Sequence, residues 1–592
     1  MSNQLEEKFG AWELFEELWE ESMKDDAIVA VSQAIRYKLL NEPCKDRLNL
    51  RQDVKDNAKA RDLRTKGNEL FHPKVKRYIE ATKYYNESIS FSTKGSEERG
   101  MAYSNRSMIC YALRQYDDCL KNIALARESN YPERLAVKLA QREADAKRAL
   151  QVENNNNQDS TDGQSDTNCI TEPKELKLSY DSLETLPQVA NCLELRESKD
   201  FGRFVATNKS LKVGDVVIIE KPFCNLLLDT YRCIRCDFCH RESMFTLIPC
   251  ENCTVAMYCS EECMEKAHAQ YHRYECPIIR DLWRIFTKIP VLAVRTVISA
   301  IAAFGHNLSA MKDYLEELNE SQVNAFTMDW RTATPQDIYS TVHVLESNHA
   351  VRDGKDREHR RFFAYIALSM LMDRTELGPV CDENPEIQEM LFDLLERHMQ
   401  TCPVNMHSLY YMDYHPKRKE YDMEKYASGC FPLLSMLNHS CAPNMTRLTL
   451  PDGRCAVIIS RPIPEGGQLY DNYGMHHCLM ARTERRSDLM KQYKFPCKCE
   501  ACENNYPMLF NLPRVDFYEH GMIDVHSIHA ELVMHQPKKA EELLPKLLGY
   551  LNKITQYPYF EVCCCQELLL RCLEILHMYT SKSTRYLRYC KP

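Results

Sequence analysis

At 592 residues, 44% of them hydrophobic, the chain is too long for one core and apolar enough to bury several, so a folded multidomain protein is expected. A formal net charge of −9 with no long basic block argues against direct nucleic-acid binding, and a protein or small-molecule substrate fits better. Met1 to Phe15 is acidic and amphipathic, and the longest apolar run, Ile289 to Phe304, is interrupted by Arg295, so neither a secretory signal nor a membrane contact is expected. The 28 cysteines are therefore expected in a reducing setting, cytoplasm and nucleus, as metal ligands or buried thiols. Residues 1–60 set Trp12, Phe15, Leu18 and Trp19 at helical spacing and read as amphipathic helices without a legible role.

From Asp62 to Leu150 a pattern recurs. Gly67-Asn68-Glu69-Leu70-Phe71 leads to Tyr78, Ala81, Tyr84 and Tyr85, and Ala102-Tyr103-Ser104-Asn105-Arg106-Ser107 leads to Tyr116, Cys119 and Leu120, with a weaker unit near Pro132. Small residues let paired helices approach, and large apolar ones fill the groove one helix later. Over 61–150 this resembles tetratricopeptide repeats (TPR). Gln151 to Thr171, with four consecutive Asn and no apolar period, reads as a flexible linker that extends to residue 178.

Beyond it, Val213, Val216, Val217, Ile218 and Ile219, bounded by Gly214 and Pro222, read as strands. Four ligand pairs follow within 41 positions: Cys236 and Cys239, Cys250 and Cys253, Cys259 and Cys263, His272 and Cys276. A Cys-x-x-Cys turn sets two thiolates about 2.3 Å from one zinc ion, and two pairs close a tetrahedral structural site, so eight ligands suffice for two ions. The four-residue step of the last two pairs puts both ligands on one face of a helix. The arrangement, with Tyr258 before the fifth ligand, resembles a MYND zinc finger over 233–276. That resemblance implies interleaved pairs, with Cys236, Cys239, Cys259 and Cys263 on one ion and Cys250, Cys253, His272 and Cys276 on the other. Such closed sites supply folding energy and a surface, not hydrolytic chemistry.

Residues 277–402 are helical by pattern, and strand-like chain resumes near Val404. There Leu437-Asn438-His439-Ser440-Cys441, then Tyr470-Asp471-Asn472-Tyr473-Gly474, then Cys497-x-Cys499-x-x-Cys502 appear in that order. Together they resemble the catalytic half of a SET-domain lysine methyltransferase, and with the finger and repeats they resemble the TPR-bearing subtype of the SET and MYND (SMYD) family. The implied fold is an α+β multidomain protein, a β-rich SET fold split by the finger and a helical insert. N-terminal repeat helices and a C-terminal helical region flank it. Residues 179–232 and 403–494 would form the SET parts, 495–506 a tail zinc segment and 507–592 the C-terminal helices, expected to close over the substrate cleft. Cys563-Cys564-Cys565 cannot converge on one ion from a helix and reads as packing.

The resemblance further implies transfer of a methyl group from S-adenosylmethionine to a lysine of a histone or non-histone protein. Gly202, Arg203, Asn405, Ser435, Leu437, Asn438, His439, Tyr473 and Phe495 would line the cofactor site. Tyr473 would supply the catalytic hydroxyl, Tyr493 would line the lysine channel, and Cys441, Cys497, Cys499 and Cys502 would hold a third zinc. Two departures stand out: the loop before Phe204 has one glycine where the family usually has two, and His407 stands where other members place an aromatic facing the channel. An adaptor that keeps the SET fold as a scaffold, in which finger and repeats bind partners, is the competing expectation. Among repeats that capture chaperone tails, basic and Asn side chains hold terminal carboxylates. Arg64, Asn68, Asn105, Lys138 and Arg142 stand at the matching places, implying heat-shock chaperone tails as partners, while the finger implies proline-rich corepressor peptides. The protein is expected to be a monomer.

Overall fold

In the computed structural model, residues 12–24, 26–159, 172–199, 202–415, 417–514, 525–532, 534–554 and 556–581 are described. Two helices, α1 (Trp12–Ser22) and α2 (Ile28–Leu40), precede the repeat helices α3 (Asn57–Phe71), α4 (Tyr78–Phe91), α5 (Glu97–Ala112), α6 (Tyr116–Glu128) and α7 (Ala136–Asp159). The Asp56 and Ser96 side chains accept the Lys59 and Arg99 N–H groups and so start α3 and α5. Gly67 shows why small residues recur: a Cβ there would lie 2.5 Å from the Tyr85 ring, so α3 and α4 could not approach as they do. The linker expected at 151–178 is corrected at both ends. Residues 151–159 continue α7, because extending a formed helix adds a hydrogen bond for each residue fixed, and Asn carries only a modest penalty. Near the other end, Lys174 N–H donates to Leu576 O at 2.7 Å, and Leu176 and Leu178 join a C-terminal core. Residues 160–171 lie outside the described residues.

The β-rich part begins with β1 (Leu193–Ser198), β2 (Gly202–Thr207), β3 (Val216–Glu220) and β4 (Cys224–Leu227). The finger carries β5 (Ile248–Pro249) and β6 (Met257–Tyr258). The insertion is helical, with α8 (Lys288–Ala303), α9 (Gly354–Arg374) and α10 (Pro385–Asn405) its longest members. Strands resume with β7 (Met406–His415), β8 (Glu420–Cys430), β9 (Asn438–His439), β10 (Met445–Thr449), β11 (Cys455–Ile459) and β12 (Tyr470–Asp471). They form two three-stranded sheets, β10-β11-β3 and β4-β8-β7, and three two-stranded pairs. Helices α11 (Arg482–Tyr493), α12 (Pro537–Lys553) and α13 (Phe560–His577) complete the described chain. Leu543, Leu547, Leu568 and Leu569 of α12 and α13 pack with Val216, Leu448, Ala456 and Ile458 of the β10-β11-β3 sheet.

The apolar run Ile289 to Phe304 is nearly all within α8, which is buried along most of its length. Its Arg295 is also buried, with Nη2 2.6 Å from Glu275 Oε2 and the guanidinium 3.6 Å over the Tyr271 ring. Among the described residues no single helix is long and apolar enough to cross a membrane. Helices α1 and α2 find their apolar partner in the insertion: Phe15 lies edge-on to Phe362, Trp19 stacks near His359 and Phe362, and Arg36 pairs with Asp382.

The repeats are bound to the finger by buried polar contacts. Asn86 Nδ2 donates to Cys233 O and Met244 O, Asn122 Nδ2 to Phe245 O, and buried Arg106 joins Asn86, Asn122 and Leu247 O. The Asp53 carboxylate accepts the Thr254 N–H and hydroxyl. Lys55 Nζ, just before α3, donates to Ser90 O, Cys250 O and Cys253 O at 2.7, 2.6 and 2.7 Å. Replacing it leaves three buried carbonyls without a donor, a cost of about 2–4 kcal/mol. Lys55→Met is expected to lower the melting temperature and to speed proteolysis between repeats and finger, as limited digestion followed by mass spectrometry would detect.

Candidate active site

Three groups of ligand atoms converge, each with all atoms within 4.8 Å of one another: Cys236, Cys239, Cys259 and Cys263; Cys250, Cys253, His272 and Cys276; Cys441, Cys497, Cys499 and Cys502. These are the ligand sets expected from the sequence, and the first two interleave. Sulfur pairs such as Cys239–Cys259 at 3.6 Å, Cys250–Cys276 at 3.7 Å and Cys441–Cys502 at 3.6 Å match the edge of about 3.8 Å that ~2.3 Å bonds give a tetrahedron. The donor sets therefore fit zinc. One local expectation is corrected: Cys259 follows β6 and precedes the helix Glu261–Ala267, because the Ser260 side chain caps that helix by accepting the Cys263 N–H. Only Cys263 of that pair is helical.

The tail cluster is joined to the candidate catalytic residues by short links. Strands β9 and β12 pair in parallel, Asn438 opposite Tyr470 and His439 opposite Asp471, bringing the two central motifs side by side. The Tyr473 N–H donates to His439 Nδ1 at 3.0 Å, which places the imidazole proton on Nε2, 3.4 Å from Cys441 Sγ. Burial lowers the His439 imidazole to about 4, so it is neutral at pH 7. Tyr473 donates its hydroxyl to Leu437 O at 2.7 Å, and the Tyr493 ring lies 4.8 Å away, its hydroxyl donating to Tyr473 O at 3.3 Å. Burial first, then Asp471, pushes the Tyr473 phenol well above its ordinary range. Phe495 packs against the His439 ring at 6.1 Å. An open cavity of about 570 Å³ adjoins them, lined by Asp353, Arg360, Met475, Asp488, Lys491 and Lys494 among others.

The expected cofactor residues surround the same place. Asn438 Nδ2 donates to Arg203 O at 3.1 Å, and Ser435 Oγ donates to Asn405 O at 3.1 Å. Gly202 has φ +60°, and a Cβ built there meets nothing within 4 Å, so the loop borders open space as a cradle requires. The Asn405 side chain is spent on the fold: its Nδ2 donates to Glu346 O and Thr401 O. Its backbone carbonyl, not its amide N–H groups, reaches the Ser435 turn.

Sequence reasoning missed Glu220. At the end of β3 its two carboxyl oxygens accept the Leu433 and Leu434 N–H groups, each at 2.9 Å, and so fix the turn that carries Ser435 and Leu437. An acidic residue closing a β-branched run is the only trace it leaves in the sequence. Arg447 was missed too. It bridges β10 to Asp471 and His407.

In the repeats, Asn68 Oδ1 accepts from Asn105 Nδ2 at 2.7 Å and from the Tyr85 hydroxyl at 2.9 Å. Arg142 is mostly buried and donates to Ser104 O and Ser107 Oγ, tying α7 to α5. Arg64 is half-buried, and Lys138 is exposed.

A model of the SET domain matches residues 202–474. Residues 202–474 thus form a SET domain. Its relatives include "Protein-lysine N-methyltransferase SMYD4" of Danio rerio, 25% identical over 75% of this chain and 65% of that protein. The protein of the same name from Homo sapiens is 26% identical over 78% and 69%. "Histone-lysine N-methyltransferase ASHR1" of Arabidopsis thaliana is 25% identical over 53% and 55%. The chain is similar to those SMYD4 proteins over most of its own length and spans about two thirds of theirs.

Two predictions follow from the geometry. Burial pushes the Glu220 carboxyl up to about 8 from its ordinary 4.5, against the pull of two N–H donors. A raised carboxyl contributes stability that is complete below 4.5 and lost as pH rises through about 8. The stability gap between the wild type and Glu220→Gln is therefore expected to narrow over that window in denaturant titrations at stepped pH. Cys499→Ser is expected to release one metal equivalent, measured by atomic emission, and to change the tyrosine signal in near-ultraviolet circular dichroism while the repeats stay folded.

Proposed function

We propose that the chain transfers a methyl group from S-adenosylmethionine to the amine of a lysine in a protein substrate. The observation that carries this reading is the linked set Cys441, His439, Tyr473 and Leu437, within or beside the matched SET segment. When bound, the cofactor supplies an electrophilic sulfonium methyl. Gly202, Arg203, Ser435, Leu437, Asn438 and Phe495 would hold it, Asn405 contributing through its carbonyl. The chain's part is to position the amine and exclude water.

Tyr473 is suited to that task because its hydroxyl proton is committed to Leu437 O, so its oxygen can accept from the incoming amine. With a raised pKa it does not serve as a base, and the amine gives up its proton to bulk water before the side chain enters. Tyr493 holds the other side of the acceptor side chain, which enters past the cavity at Met475 and Lys494. Three zinc ions, two in the finger and one in the tail, would brace the fold.

Localisation to cytoplasm and nucleus, and a monomeric state, belong to this proposal. So do two partner classes. Chaperone tails would meet Arg64, Asn68, Asn105 and Lys138, with Arg142 shaping the groove from beneath. Corepressor peptides would use the finger surface left free, since repeat-side residues engage Cys250 to Thr254.

Calorimetric titration of the zinc-replete protein with S-adenosylmethionine tests the reading. Asn438→Ala is expected to weaken binding at least about tenfold, and Tyr473→Phe to keep binding while losing transfer. A folded protein that binds no cofactor would instead favour the adaptor, for which the committed Asn405 amide already speaks.

A further inference from the structure

Beside Tyr473 lies a partly buried charge group to which the reading above gives no task. Arg447 leaves β10 and reaches two other strands, with Nε 3.0 Å from Asp471 Oδ2 on β12 and Nη1 donating to His407 Nδ1 on β7. The Arg447 side chain is 27% exposed and the Asp471 side chain 5%, so the guanidinium is the more accessible member of the pair. Both candidate tyrosines lie in this field: Asp471 raises the Tyr473 and Tyr493 phenols and Arg447 lowers them.

The hydrogen-bond inventory gives this wall a sign. A guanidinium only donates, so His407 Nδ1 accepts and the imidazole proton sits on Nε2. That Nε2 is buried and has no hydrogen-bond partner among the described residues. Burial and the neighbouring Arg447 keep the imidazole neutral. Arg447 Nη2 likewise reaches no acceptor among the described residues, its bonds being made by Nε and Nη1. The group thus sets a partly exposed guanidinium with one free donor, Nη2, held between Asp471 and His407, in the field of both tyrosines. An ammonium would add further donors and a like charge, whereas a neutral amine adds neither the charge nor the third proton.

On the strength of the methyltransferase reading, we propose that Arg447 selects the charge state of the acceptor, its guanidinium backed by Asp471 and braced by His407 so that the pocket admits the neutral lysine amine and rejects the ammonium. The selected form is the one with a free lone pair, so selection at this wall also prepares the nucleophile. Other titratable groups face Arg447: Tyr410 on β7, Cys455 on β11, and Tyr473 and Tyr493 across the pocket. They act equally on any side chain that enters.

The test compares two probes on the full zinc-replete chain saturated with S-adenosylhomocysteine. One is a labelled randomised peptide pool with a central lysine, the other the same pool with central norleucine, which has the shape without the charge. Fluorescence polarisation is expected to show the wild type favouring norleucine at neutral pH. The preference should fade as pH approaches the lysine pKa near ~10.4. Arg447→Met is expected to cut the preference about tenfold, Arg447→Lys to retain it, and Asp471→Asn to increase it. If Arg447→Met fails to bind the cofactor product, the Arg447→Lys and Asp471→Asn pair decides the matter. A preference that no variant changes would overturn the proposal, and if tritiated methyl transfer to the lysine pool persists, the methyltransferase reading stands without it. A wild type that binds neither pool would overturn that reading and this proposal together.

Discussion

Four sulfur atoms from two stretches of chain meet at one point behind the candidate active site, and the catalytic half depends on their meeting. Cys441 lies in the motif that carries Leu437, Asn438 and His439, while Cys497, Cys499 and Cys502 follow directly on Tyr493 and Phe495. Four thiolates cannot share so small a volume without a cation, since their mutual repulsion and lost hydration would drive them apart. With a cation, the ends of both motifs would be pinned, and the hydrogen bonds from Cys441 through His439 to Tyr473 would form a fixed path between metal and hydroxyl. A metal held there would contribute geometry. It would do no chemistry, but it would determine where the tyrosine stands.

A second constraint joins the modules. One hydrophobic cluster runs through the N-terminal helices, the repeats, the finger and the helical insertion, without a polar boundary between them. Along the seam of repeats and finger, the half-buried contacts of Lys55 and the buried ones of Arg106 are directional, which fixes register as well as adhesion. The groove of the repeats is therefore held in a set orientation to the SET domain, and any partner bound there is presented at a defined place.

Much of the site could be read from the sequence because its chemistry is local. Cysteine spacing identifies ligands, since the metal demands a few residue types at close intervals, and Tyr473 is marked by its neighbours. What escaped depends on distant pairs. Glu220 acts on a turn more than two hundred residues later, and nothing near it in sequence hints at that. Arg447 reads as an ordinary charged position on a strand, because its meaning lies in Asp471 and His407 on two other strands. The polar tract that begins inside α7 escaped for a different reason. Composition reports what a segment would do alone, whereas helix at its N-terminal side carries it further.

The docking of α1 and α2 has a practical side. The face of α9 that they cover includes His359 and Phe362, which meet the rings of Phe15 and Trp19. A protein trimmed to begin at the repeats would keep every ligand and every candidate catalytic residue, yet it would bare a contiguous aromatic surface on the insertion. Such a surface invites self-association, and an apparent oligomer or a poor yield from the shortened chain would reflect that uncovered face, not a property of the intact protein.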